Sequence, residues 1–180
     1  SIKKPYKNLP KYLKKYKKII TIEEQNLPGG IGTIIAEIIA ENNINVNLKP
    51  FNVRTIMLEM DNRPFPPSKK VKVDHMWRDI QRRAEIYKIV VPSLPVPYPL
   101  KNMELANQIA LLGVNEGWCL EYLELTYYNW FINKLPAGEE KNLILTFKKL
   151  NINYQEIKKK VLTNEVENIL IEQTKIAKSK

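Results

Sequence analysis

The chain has 180 residues, 44% hydrophobic and 27% charged, which suits one globular domain or one domain carrying a large insertion. One cysteine and one histidine exclude a disulfide framework, a Cys-x-x-Cys redox pair and a classical structural zinc site. The formal net charge of +10 is unevenly placed: residues 1–18 hold eight lysines and no acid, and without them residues 19–180 carry only +2.

Those lysines are Lys3, Lys4, Lys7, Lys11, Lys14, Lys15, Lys17 and Lys18, interleaved with Tyr6, Tyr12 and Tyr16. Pro5 and Pro10 oppose a single continuous helix there. A basic arm of this kind either contacts phosphates and anionic surfaces or serves as a solubilising terminus. Next, "KKIITIEE" (17–24) reads as a strand with an apolar middle. "PGGIGTIIAEIIAENN" (28–43) places Ile31, Ile34, Ile35, Ile38 and Ile39 on one helical face, and "INVNLKPF" (44–51) alternates like a strand. Together they predict a right-handed βαβ unit with parallel strands. Two strands are too few for a stable sheet, so further sheet or a partner is expected to cover the edge.

From Phe51 onward the pattern is helical. "VRTIMLEM" is a short amphipathic piece, "DNRPFPPSKK" (61–70) a proline-rich loop, and 73–89 a helix with Met76, Ile80, Ala84 and Tyr87 on one side. "VVPSLPVPYPL" (90–100) is a wrapped loop, because its prolines fix φ and remove donors. Residues 101–134 predict two helices broken between Gly113 and Gly117, and three more follow to the end of the chain. The last begins near Thr163 or Asn164, with Glu165 and Glu167 in its first turn. No apolar run reaches the length of a membrane span.

The turn "NLPGGIG" (26–32), between a strand and a helix, has the placement of a phosphate or cofactor cradle. It lacks the Lys-Ser/Thr of a nucleotide-binding loop and is not a G-x-G-x-x-G, so its glycines read as structural. Cys119 lies among apolar residues and reads as a small buried hydrophobe. His75 adjoins Asp74, but neighbours on a helix point apart, so a surface histidine is expected. Trp77, Trp118 and Trp130 read as core. Arg63, Lys69, Lys70 and Lys72 form a basic loop that would face carboxylates in an enzyme or phosphates in a binding protein.

The order strand, helix, strand, long helical insertion resembles the DsbA-like thioredoxin folds. Within them it is similar to the 2-hydroxychromene-2-carboxylate isomerases and kappa-class glutathione transferases. "LKPF" (48–51), "TIMLEMDNRPFPPSKK" (55–70), "MWRDIQRRAEIYKI" (76–89), "VPYPLKNMELANQIALL" (96–112) and the Trp130 segment "YYNWFINKL" (127–135) carry the resemblance. It implies a thioredoxin-like α/β fold, helix-dominated overall, with the C-terminal part of the sheet missing. Residues 18–51 and 163–180 would form a partial thioredoxin-like domain, 52–162 a helical insertion, and 1–17 the basic arm. It places Asn62, Pro64 and one of Lys69 or Lys70 on family positions, with Asn62 a ligand contact or simply a turn former.

Three departures bear on activity. The family's catalytic serine precedes the proline of the first turn; Pro28 matches that proline, so Leu27 stands in the serine's place, between Asn26 and Gly29. The family's asparagine falls on Lys101, with Asn102 displaced by one. Its cis-proline loop, which grips glutathione, would follow the last helix and is not in this sequence. The expectation is therefore a non-catalytic subunit of a large assembly, above all the mitochondrial ribosome, with no cofactor. The arm, Arg63, Lys69 and Lys70 would contact RNA, and a partner would cover the incomplete sheet. The alternative is a working glutathione-dependent isomerase or transferase, with glutathione as its cofactor. The expected location is mitochondrial, or otherwise cytoplasmic.

Overall fold

The computed structural model describes residues 9–15, 48–62, 66 and 68–179, and the regular structure among them is entirely helical. Its helices are α1 (Leu9–Leu13), α2 (Val53–Glu59), α3 (Lys70–Ile86), α4 (Met103–Glu116), α5 (Cys119–Phe131), α6 (Glu140–Leu150), α7 (Tyr154–Val161) and α8 (Asn164–Lys178). The expected strand at 17–24, the helix at 28–43 and the first half of the strand at 44–51 lie outside the described residues. Residues 48–51 carry no regular structure. Pro50 has no N–H to give to a ladder and biases Lys49 before it, so that strand cannot run on to Phe51.

The chain divides into two compact units, residues 1–48 with 78–90 and residues 49–77 with 91–180. In the first, Leu13, Ile80 and Ala84 are buried. In the second, α5 lies between α4 and α6, α4 also meets α7 and α8, and α8 packs on α2. The centre of this second core is aromatic. Phe147 is fully buried, stacked on Tyr122 at 5.9 Å and on Tyr154 at 5.8 Å, with the edge of Trp118 at 5.5 Å. Ile109, Leu143 and Val161, in the same unit, have no exposed surface.

The helix ends follow identifiable chemistry. Helix α4 runs through Gly113 and stops at Gly117, whose φ is +87°. Gly113 sits inside the helix because a Cβ there would lie 2.8 Å from the ring of Trp118. At the end of α3 the N–H of Ile89 donates to Ala84 O and that of Lys88 to Glu85 O, with Lys88 at φ +55°. This is a Schellman ending with lysine where glycine is usual. It explains why the helix stops three residues before the expected position 89. Asn151, at φ +56°, ends α6 in the same way. Asn153 caps α7 by accepting the Gln155 N–H, and Thr163 caps α8 by accepting the Val166 N–H. A cap of this kind stabilises its helix by about 1 kcal/mol.

Between α5 and α6 lies a buried polar chain. Asn129 Nδ2 donates to Thr146 Oγ1 at 3.1 Å, and Thr146 Oγ1 donates to Asn142 Oδ1 at 3.0 Å. Asn142 Nδ2 donates to the carbonyls of Thr126 and Leu135 at 3.0 and 2.8 Å. Asn142 and Thr146 have no exposed surface, so each of these bonds answers a desolvated group.

Candidate functional site

Asn26, Leu27, Pro28, Gly29, Arg63 and five of the arm lysines (Lys3, Lys4, Lys7, Lys17 and Lys18) lie outside the described residues. The described part of the arm contains α1, in which Pro10 sits in the first turn, where its missing N–H would have had no helical partner. Leu13 is buried, while Lys11, Lys14 and Lys15 are exposed. Leu13 thus anchors this stretch beside three exposed lysines.

Asn62 is half-buried, and its N–H donates to Met57 O at 2.8 Å, closing the end of α2 after Asp61 at φ +49°. Asn102 is exposed at the N-cap position of α4 and makes no side-chain cap bond. Its carbonyl accepts the Ala106 N–H at 3.2 Å. Gly138, at φ +82°, presses on that same carbonyl; a Cβ there would come within 2.1 Å of the oxygen, so only glycine fits. Lys69 gives its N–H to Pro66 O at 3.0 Å and Lys70 pairs with Asp74 at 2.5 Å, both lysines being exposed.

The segment leading to Asn102 is the proline-rich loop, with cis bonds at Leu94–Pro95 and Tyr98–Pro99. Its carbonyls are held by side chains that come from elsewhere. Arg54 Nη1, on α2, donates to Leu100 O at 2.8 Å, and Trp130 Nε1, on α5, to Pro97 O at 2.7 Å. Lys134, just beyond α5, donates to Ser93 O and to Pro95 O. Burial lowers the Lys134 pKa. Burial raises that of Tyr98, with Arg54 opposing. Arg54, Tyr98 and Lys134 were not among the residues singled out from the sequence. A loop rich in prolines must find its donors outside itself, and that was the available signal.

Cys119 is buried at the start of α5, and its thiol is pushed up to about 11, by burial first and by Glu121 second. A thiol held neutral in this way is a poor nucleophile at neutral pH. His75 is exposed and Trp77 is buried, while Trp118 and Trp130 are half-buried. Among the described residues no group of three or more His, Cys, Asp or Glu could hold a metal ion. No helix there is long and apolar enough to cross a membrane.

A family model, the DSBA-like thioredoxin domain, matches residues 32–180, and the chain belongs to that family. Comparison with curated proteins gave no match, and comparison with solved structures gave none. The helical run from α2 to α8 is thus the helical part of a DsbA-like thioredoxin fold.

Proposed function

We propose that this chain is a non-catalytic member of the DsbA-like family that serves as a binding subunit of a large ribonucleoprotein, best fitted by the mitochondrial ribosome. Its scaffold would derive from the glutathione-dependent isomerase and kappa-class transferase branch that the sequence resembles. One observation carries the reading: eight lysines and no acid in residues 1–18, on a body that is otherwise near neutral. Such an arm neutralises phosphates without reading sequence. The anchored Leu13 and exposed Lys11, Lys14 and Lys15 suit that use. Leu27 in the place of the family's serine supports the loss of catalysis, since a leucine side chain has no hydrogen bond to donate. Lys69 and Lys70, both exposed, would add contacts near the start of α3, with Arg63 beside them in sequence.

The test is sedimentation of the native protein from gently lysed mitochondria, with and without RNase. Travel with a megadalton particle, and displacement by RNase, is the expected result. A protein that stays at the size of a monomer or dimer overturns the reading. Glutathione binding, measured beside a Leu27→Ser variant, would then examine the enzymatic alternative, in which Asn26 or a backbone N–H replaces the serine.

A further inference from the structure

Two helix faces of the second unit carry opposite charges at matching intervals. Helices α6 and α8 both belong to that unit. On α6, Lys141, Lys148 and Lys149 are exposed, and so are Ile144 and Leu145 between them, at 47% and 43%. On α8, Glu165, Glu167 and Glu172 are exposed together with Ile171 at 45%, and Leu162, at 64%, lies just ahead of the helix. Among the described residues, none of these six charged side chains makes a hydrogen bond or an ion pair. The acid at the edge of the α6 face, Glu140, is engaged by Lys158 at 3.3 Å. The cations of α8, Lys175 and Lys178, come in its last turn, and Lys178 is engaged by Glu59.

Lys141 and Lys148 are seven residues apart, as are Glu165 and Glu172. Seven residues make two turns, about 10 Å of axis, and return the second side chain to the side of the first. Set along each other in either direction, the two helices bring both lysines to both glutamates, with Ile144, Leu145 and Ile171 between the two pairs. The macrodipole accounts for only some of these charges. It favours Glu165 and Glu167 in the first turn of α8 and Lys148 and Lys149 in the last turn of α6. Lys141 stands in the first turn of α6, where a cation opposes the dipole, and Glu172 stands past the middle of α8. Nor does the dipole account for the four exposed aliphatic side chains, for which a contact surface has a use and a solvated face has none.

We infer that the occupant of these faces is a second copy of this chain, with Lys141 and Lys148 of one copy pairing with Glu165 and Glu172 of the next around an aliphatic centre. A contact between two short helix faces is small, so the association is weak, on the order of tens of micromolar. The inference goes beyond the ribonucleoprotein reading and does not depend on it.

The experiment is sedimentation velocity of the full chain, purified with nuclease and kept reduced, from about 5 to about 200 µM. The weight-average sedimentation coefficient is expected to rise across that range, and to rise less as KCl goes from about 50 to about 500 mM. K141E/K148E and E165K/E172K should each associate at least about tenfold more weakly, because each sets like charges against each other. An equimolar mixture of the two should associate within about threefold of the wild type, since every contact in a mixed pair is again between opposite charges. Circular dichroism should show unchanged helix content in both variants. Ile144→Gln, at an exposed site, should weaken association several-fold while leaving its salt dependence unchanged.

A wild-type chain that stays monomeric throughout that range overturns the inference. So does association that both reversed variants retain, or that their mixture fails to restore. If the wild-type chain stays monomeric and instead floats with vesicles containing phosphatidylserine, and K141E/K148E does not, the α6 face is a membrane contact and the inference falls. Sedimentation from mitochondria with and without RNase decides the subunit reading separately, because it does not involve contact between copies.

Discussion

The α5–α6 hairpin and the proline-rich loop of residues 90–102 face the same problem and solve it differently. Each contains backbone carbonyls that take a side-chain donor, buried in the hairpin and half-buried to exposed in the loop. In the hairpin the helices satisfy their own N–H and C=O groups, and the Asn142 side chain donates to the carbonyls of Thr126 in α5 and Leu135 in the connection. In the loop, proline has removed the donors, so carbonyls are met by Arg54, Trp130 and Lys134 at sequence separations of 33 to 46 residues. The hairpin is held by partners within about 17 residues of each other, and the loop by partners brought from other elements. The hairpin is therefore expected to be part of the cooperative core, and the loop a region that loosens without unfolding the rest.

The largest effect is expected at Phe147. Phe147→Ala empties the middle of a four-ring cluster, and urea unfolding should show a loss of about 3–5 kcal/mol. Asn142→Ala should follow at about 2–3 kcal/mol, because three hydrogen bonds go together: those to the Thr126 and Leu135 carbonyls and that from the buried Thr146 hydroxyl. Trp130→Phe tests the other side of the comparison. It keeps an aromatic ring while trimming the indole and removing its donor, so global stability should fall by about 1 kcal/mol while limited proteolysis at residues 90–102 accelerates several-fold. A global loss as large as that of Asn142→Ala would erase the distinction between the two regions.

The pH dependence is smaller. The Cys119 thiol, pushed from its ordinary value near 9.0 up to about 11, favours the folded state while neutral. That contribution is complete below pH 9.0 and fades as pH rises towards 11. Iodoacetamide at pH 8 should label Cys119 at the unfolding rate, and labelling as fast as a free thiol would show that the start of α5 is open. The smallest effect is at Asp79, whose carboxyl is held below its usual 3.8 chiefly by the hydrogen bond from Arg83. Its contribution is present above that value and is lost as pH falls through the lowered one. Because the pair is open to solvent on one side, Asp79→Asn should change stability by less than about 0.5 kcal/mol in a melt at pH 7.

The helices were legible wherever periodicity met a chemical stop. The start of α8 is announced by Thr163 before Asn164, and α7 follows Asn153 directly. The end of α3 was not legible, because Lys88 takes the left-handed conformation without the glycine that usually signals it. The strand written into "INVNLKPF" was overread at its end, since Pro50 outweighs alternation. In the candidate site, the exposed lysines were readable as charge, but the clasp on the loop was not. Arg54 and Lys134 look like ordinary surface cations until the fold sets them against carbonyls some 40 residues away.

That clasp bears on how this fold can be recombined. The loop's shape is not a property of its own thirteen residues, because its restraints belong to α2 and to the end of α5. Transplanted alone into a homologous scaffold, residues 90–102 would arrive without their clamps and relax. Moved together with Arg54, Trp130 and Lys134, they would carry their shape with them. The inheritable module is therefore a scattered set of positions, and a splice point chosen from the linear sequence would cut through it.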